Sequence, residues 1–414
     1  MASTGSRHAR TLLHWLGLGA LVGAGCGLAS AAFLLALDRA TQLRVAHEQL
    51  VYLLPIAGLA LGAIYARWGT PIRGGNNLVL DTIHDERPPI PLRMGPMVLV
   101  GTVLTHLFGG SAGREGTAVQ MGASMADAIA HRFRVPSDMR RQLVAAGMAG
   151  GFASVFGTPW AGLIFGLEVL TVGRLELRAF VPALVAALVG DRVTRACGVV
   201  HTLYPHPEAL GLSVLLVLKW LAFALAVAAT SIVFIELVHR LKAELERRGP
   251  SLPLRMFIGG LVIVALWKIV GTDRYLGLGV PTIVAAFTDT DLPSAAFAWK
   301  LLFTAVTIAT GFLGGEVTPL FFIGAALGAT LSALLGLPLA LAAGVGLATV
   351  FGVAANTPLA LTIMAVELLG TSVLPHVLIV MLLAYLLTGR RSIYSSQRFA
   401  WKKPFGGPPP VSPA

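Results

Sequence analysis

Long uncharged runs alternate along this chain with short connections that hold most of the formal charge. Thr11 to Leu37, Gln142 to Leu167 and Leu368 to Gly389 contain no Asp, Glu, Lys or Arg. Each exceeds the roughly 20 residues that carry an α-helix across a bilayer. From Val317 to Val366, fifty residues pass without a formal charge, room for two or three segments. The pattern predicts helices over 11–37, 49–67, 91–109, 116–132, 138–154, 159–173, 177–198, 211–247, 254–270, 293–313, 318–334, 338–352, 358–370 and 372–389, several too short to span. Break signals fall at Gly109-Gly110, Gly157-Thr158-Pro159, Gly314-Gly315, Thr318-Pro319 and Asn356-Thr357-Pro358. No polar stretch is long enough for a soluble domain. The expectation is therefore one all-α, polytopic membrane domain over 1–405 and a proline-rich, disordered tail over 406–414.

Composition agrees: the 414 residues are 56% hydrophobic and 12% charged, against about 25% charged in soluble domains. The net charge of +11 is not a nucleic-acid signal, because the cations sit in connections and at the ends. They cluster at Arg7 and Arg10, at Arg67, Arg73, Arg87 and Arg93, at Arg140 and Arg141, from Arg240 to Arg255, and from Arg390 to Lys403. That distribution follows the positive-inside bias of cytoplasmic loops in a multi-pass cell-membrane protein. The basic start followed by a long apolar run, with no Ala-x-Ala cleavage signal, is expected to be a first membrane helix and not a leader. Cys26 and Cys197 lie in apolar sequence and are expected to be small buried residues; they form neither a disulfide framework nor a metal motif. No metal, redox cofactor or nucleotide site is expected.

The Gly-Gly-Ser-Ala-Gly-Arg-Glu-Gly segment at 109–116 ends an uncharged run of twenty residues, Met94 to Gly113. Irregular backbone at membrane depth has no water to pair with and persists only where it lines a cavity or binds something. Arg114 and Glu115 beside it make a functional site the default hypothesis. A weak internal repeat adds to this. Thr158, Pro159 and Glu168 recur 199 positions later as Thr357, Pro358 and Glu367, as do Gly147, Ala149 and Phe152 at 346, 348 and 351. At an offset of 202, Gly113, Gly122 and Ala123 recur as Gly315, Gly324 and Ala325, so the 113–117 segment overlies Gly315-Glu316-Val317-Thr318-Pro319. Repeats with interrupted helices at matching positions point to a transporter's midplane site. The first repeat covers about 11–200 and the second about 210–400.

Helix starts after glycine breaks present unpaired N–H groups and a positive dipole end. Two such starts, near 116 and 318, are placed to converge on one anion. The Glu115 carboxylate can occupy that place itself and leave when protonated, which couples protons to anions by direct competition. A salt bridge to a neighbour is the bland alternative, and for Arg114 capping or snorkelling is the simpler role. Asn76 and Asn77, after Gly74-Gly75, either donate amide N–H groups to a small anion or cap a turn. Glu316 is unexpected at a site for anions; it must be protonated, paired or turned away. Thr318 offers a hydroxyl donor. Glu168 and Glu367 leave structural and functional roles open. Gly109 to Gly113 also fits the G-x-S-x-G nucleophile elbow, which would make Ser111 and His106 parts of an intramembrane hydrolase, but that motif needs a strand before it.

Gly113-Arg114-Glu115-Gly116, the Thr-Pro repeats and Gly315 to Pro319 resemble the CLC family of chloride channels and proton-coupled exchangers, over about residue 11 to Trp401. The first segment is quite specific in this setting. The departures matter more. The family's G-S-G-I-P becomes Gly75-Asn76-Asn77-Leu78-Val79, the proline after G-R-E-G is Thr117, and G-x-F-x-P becomes Gly315-Glu316-Val317-Thr318-Pro319. A second glutamate common in the chloride exchangers is Val169. Together they resemble the fluoride/proton antiporter branch.

The resemblance implies a CLC-type fold with two inverted-topology repeats, in a homodimer whose protomers each hold a pore in the lipid. Glu115 would be the external gate that exchanges protons. Asn76, Thr318, the Val317 and Thr318 N–H groups and Tyr394 would bind the anion. Glu316 would be the branch-specific residue of the pore, with Gly75, Asn77, Gly113, Arg114, Gly116 and Gly315 supporting. The expected function is proton-coupled fluoride export, with fluoride and protons as the transported partners and chloride channel or exchange activity as the alternative. No enzyme activity is expected.

Overall fold

The computed structural model describes residues 2–85 and 89–400, with side chains from residue 12 onward except Asp85. Arg87, Trp401, Lys402, Lys403 and the expected tail over 406–414 lie outside the described residues. The first half holds α1 (Ala2–Ala46), α2 (Leu54–Trp68), α3 (Asn76–Asp85), α4 (Met94–Leu107), α5 (Glu115–Arg132), α6 (Ser137–Phe156), α7 (Pro159–Glu168) and α8 (Phe180–Ala196). The second holds α9 (Val214–Arg247), α10 (Leu252–Val270), α11 (Val280–Ala285), α12 (Ala296–Ala309), α13 (Val317–Leu335), α14 (Leu339–Ala354), α15 (Pro358–Leu369) and α16 (Leu374–Leu387). Eight helices thus follow eight in the same order of long, broken and short members. Two two-residue strands, β1 (Thr171–Val172) and β2 (Arg398–Phe399), pair in parallel and tie the end of the chain to the first half.

Five helical stretches are long and apolar enough to cross a membrane, led by Leu12–Ala46 and Val214–Arg247 at mean hydropathy 2.1 and 2.4. Their outer faces expose large apolar side chains such as Leu28 (58%), Leu225 (57%) and Ile269 (73%). Those faces meet lipid tails, which gives the chain a multi-pass membrane architecture. Between helices, glycine and alanine bring backbones close, because packing in lipid rests on shape and not on the hydrophobic effect. Gly19, Gly23 and Gly27 form a stripe on α1; a Cβ at each would lie 2.7–2.9 Å from a carbonyl oxygen of Pro182, Ala186 or Gly190 on α8. Gly122 of α5 abuts Gly147 of α6, and Gly324 of α13 abuts Gly346 of α14, so the repeat offset reappears as one crossing built twice.

The halves are joined by reciprocal contacts. Gly113 and Gly315 form an antiparallel bridge, N to O 2.6 Å in one direction and 2.8 Å in the other. Glu168, at the end of α7, accepts the N–H groups of Leu359 (3.0 Å) and Ala360 (2.8 Å) at the start of α15. Glu367, in α15, accepts those of Trp160 (3.1 Å) and Ala161 (2.7 Å) at the start of α7. Exchange of equivalent groups is what a two-fold axis produces. Thr-Pro opens both α7 and α15, with proline at a position whose N–H would be unpaired anyway. The carboxylates therefore neutralise helix starts of the opposite half, which resolves the open role of Glu168 and Glu367 towards structure.

Three expectations need correction. Asn76–Asp85 and Val280–Ala285 are short helices that the expected set omits; both are too brief to show a period in sequence. The segment expected to be helical over 159–173 stops at Glu168, because β1 takes Thr171 and Val172. Cys26 is buried as expected, but Cys197 is exposed at the end of α8.

Glu168→Ala leaves two N–H groups at the start of α15 without an acceptor, the Ala360 one buried, at about 1–3 kcal/mol for a buried group. The variant is expected to melt several degrees below wild type in detergent, with Glu168→Gln between the two. Equal melting of all three proteins would contradict the capping role.

Candidate functional site

The Gly113–Gly315 bridge sets the starts of α5 and α13 side by side. Glu115 is the first residue of α5 and Val317 the first of α13, each one residue away from the position expected. The close approach requires glycine. A Cβ on Gly113 would stand 2.9 Å from Glu115 Oε2 and 2.9 Å from the Gly315 oxygen, and one on Gly116 would stand 3.1 Å from Asn76 Nδ2.

The Glu115 side chain is fully buried and turns back between the two helix starts. Its Oε2 accepts from the Arg114 backbone N–H (3.0 Å) and the Thr318 backbone N–H (3.1 Å). Its Oε1 accepts the Thr318 hydroxyl and lies 3.4 Å from Arg114 Nε. A carboxylate thus sits where two sets of free N–H groups and two dipole ends converge. Charge-assisted hydrogen bonds of this kind are worth about 1.5–3 kcal/mol each. The ion pair with Arg114 accompanies this seat and does not replace it.

Asn76 opens α3, after Gly75 at φ +56, a conformation that suits glycine. Its Nδ2 approaches Gly116, while its Oδ1 is buried without a donor. The Asn77 Oδ1 accepts the Ser396 N–H at 3.1 Å and so fastens this turn to the segment after α16. That segment carries Tyr394, which is buried and whose N–H donates to Ser392 Oγ at 3.0 Å. Gln397 anchors it further: its Nε2 donates to the carbonyls of Val169 and Ala355, both at 2.8 Å. Tyr394 lies close enough to feel the charges of both Glu115 and Glu316, but neither it nor Asn76 is among the groups that hold the carboxylate.

Glu316 precedes α13, half-buried, with Lys242 of α9 and Glu115 acting on it electrostatically. Lys242 belongs to the basic 240–255 stretch, so Glu316 lies within electrostatic reach of that connection. Arg114 faces the other way. It lines an open cavity of about 690 Å³ shared with Arg44, His201, Asp273, Arg274 and Thr282. This cavity lies beyond the far end of α10, whose 19 residues separate it from that connection by roughly 28 Å at 1.5 Å per residue. Glu115 is therefore the plug between a cavity on one side and Glu316 and Tyr394 on the other. His201 and Tyr204, which approach Arg114 from the loop after α8, were not singled out in the sequence. An irregular loop carries no periodic signal.

The hydrolase geometry is not assembled. Ser111 follows helix α4, and its hydroxyl bonds Thr304 Oγ1 at 3.0 Å. The His106 ring nitrogens lie 2.8 and 2.9 Å from the Thr102 and Ala112 carbonyls, not at Ser111.

A two-fold repeat of broken helices converging on a buried carboxylate points to an anion-handling membrane protein. Comparison with known proteins gives the class its family. The family model described as voltage gated chloride channel matches residues 57–389. The chain belongs to this CLC family. It is 48% identical over 397 residues to a Pseudomonas syringae pv. tomato protein named "Chloride/fluoride channel protein", over 94% of this chain and 87% of that one. The crystal structure of a CLC-type fluoride/proton antiporter superposes with a TM-score of 0.91 at 37% identity, over 94% of this chain and 98% of that one. The structure of a slow cyanobacterial Cl-/H+ antiporter, at 18% identity and a TM-score of 0.80 over 92% and 96% of the two chains, shares the fold.

Gly113→Ala places a methyl group against the Glu115 carboxylate and the bridge. It is expected to reduce ion flux at least about tenfold, while the variant still elutes as a folded species. Wild-type flux would show that the close approach is dispensable.

Proposed function

We propose that this protein exports fluoride from the cell in exchange for protons, as a homodimer in the plasma membrane with one pathway per chain. The observation that carries the reading is the seat of Glu115. An anionic group occupies donors of the type an anion needs, buried from both sides. Protonation removes the charge that holds the side chain there. The backbone N–H and hydroxyl of Thr318 are then free to receive an anion, and the returning carboxylate displaces that anion.

Several features favour fluoride. It is small and strongly hydrated, so its site must replace water with compact, strong donors; the Thr318 hydroxyl, the helix-start N–H groups and the Asn76 amide are of that type. Asn76 and Gly315-Glu316-Val317-Thr318-Pro319 are the departures that resemble the fluoride branch, and both similar proteins described as handling fluoride extend over most of this chain. Export also has a physical motive: hydrogen fluoride crosses membranes and dissociates inside, trapping the ion, and an inward proton gradient can drive it out. The basic ends near residues 67–73, 240–255 and 390–391 fall on one side, with Gly62 packed on Pro253 and Arg391 paired to Glu236, and the positive-inside bias makes that side cytoplasmic. The Arg114 cavity then faces outward and Glu316, Tyr394 and Lys242 inward. On this reading Glu316 lies on the inner proton route, where Val169 has no ionisable group.

Purified protein in proteoliposomes is expected to move fluoride against protons and to move little chloride. Equal chloride and fluoride fluxes would assign it to chloride transport instead. Glu115→Gln keeps the shape and removes the exchangeable charge. Proton coupling is expected to vanish and exchange to fall at least about a hundredfold; retained proton-coupled exchange would remove Glu115 from the mechanism. Asn76→Ala is expected to raise the KM for fluoride about tenfold, the effect of losing one hydrogen bond to a charged ligand.

A further inference from the structure

The outward cavity holds buried side-chain nitrogen that has no hydrogen-bond partner. Arg44, near the end of α1, is 6% exposed, and its Nε and Nη1 have no hydrogen-bond partner. Arg114 Nε, ion-paired to Glu115 at 3.4 Å, makes no hydrogen bond either, nor does His201 Nε2, which lies 3.9 Å from Asp191. All three side chains line the cavity. A guanidinium that is nine-tenths buried and lacks a carboxylate in contact is costly to keep.

The surroundings of Arg44 do not neutralise it. Asp273 is the acid that acts on it electrostatically, and the Asp273 carboxylate is already held by the Trp267 indole N–H at 2.5 Å. Behind the guanidinium stands Lys300, wholly buried, whose Nζ donates to the carbonyls of Tyr275 (3.1 Å) and Gly277 (2.6 Å). These bonds turn the Lys300 Nζ onto neutral backbone oxygen. They also hold the turn at Gly277, where a Cβ would stand 3.4 Å from Arg44 Nη2. Arg274 adds a further cation to the lining, and Asp38 the other acid. The lining thus sets three arginines, Arg44, Arg114 and Arg274, against two aspartates, inside low-dielectric walls that strengthen their hold on a small anion.

We propose that Arg44 forms a second, outer anion site in this cavity, one step outward of the Glu115 seat, which receives fluoride as the returning carboxylate expels it. Arg114 links the two, since it lies against Glu115 and lines the same cavity. The site speeds clearance of the seat by giving the leaving ion a cation to move to, and holds it only until water and the open mouth of the cavity take it.

This inference rests on the fluoride-exchange reading, and one experiment separates the two. Exchange is measured in right-side-out and inside-out membrane vesicles containing the full-length protein, with fluoride titrated on one face at a time. Right-side-out vesicles present the cavity to added fluoride. Arg44→Gln is expected to raise KM on that face about tenfold and to change KM on the opposite face less than twofold, while Arg44→Lys, which keeps the charge, recovers most of the loss. Folding is checked by elution and melting. A KM that rises equally on both faces, or not at all, overturns the outer site, as does a Gln variant no worse than the Lys variant. If wild-type vesicles show no proton-coupled fluoride flux, it is the exchange reading that fails.

Discussion

A carboxylate held between two helix starts is the interaction on which the rest depends. At membrane depth, the first N–H groups of α5 and α13 have no water to satisfy them. Glu115 satisfies one from each helix, through Arg114 and Thr318, and adds the Thr318 hydroxyl. The same donors that make the carboxylate stable make it replaceable, because any small anion can use them. A site satisfied only by fixed groups would be stable and inert; one satisfied by a movable, protonatable group is stable and can transport.

The scaffold serves that convergence. The glycine pair at 113 and 315 lets two helix starts meet across a backbone bridge, and the crossings at Gly122–Gly147 and Gly324–Gly346 hold the helices behind them. At the second pair of broken helices, Glu168 and Glu367 repeat the arrangement of Glu115: they place a carboxylate on helix starts, each on the opposite half. The difference lies in surroundings. Glu168 and Glu367 each bind two successive backbone N–H groups of one helix. Glu115 shares its donors between two helices, at the boundary between an outward cavity and an inward cluster of Glu316 and Tyr394.

Asymmetry between the halves then supplies direction. The first break carries Arg114 and Glu115, the second Glu316 and Thr318, so the repeated backbone presents a cation on one side and an acid on the other. The unpaired nitrogen of Arg44 extends the cationic side outward.

Much of this was legible in the sequence. Uncharged runs had to be membrane helices, because no other arrangement satisfies twenty apolar residues. The breaks had to be sites, because glycine, arginine and glutamate are expensive there, and the repeat paired them correctly. Asn76, Glu115, Thr318 and Tyr394 were named from local pattern and from resemblance. The short helices α3 and α11, the exposed Cys197, the anchoring of Tyr394 by Gln397 and the whole Arg44 cavity were not legible. Each depends on which distant segments lie side by side, and burial and pairing of a single polar residue leave no period along the chain. Sequence by itself determined that two interrupted helices would bring an acid and a set of donors to membrane depth. Only tertiary structure decided that the acid occupies those donors and which charges remain unpaired around it, because a hydrogen bond needs two groups within about 3 Å and these groups lie some two hundred residues apart.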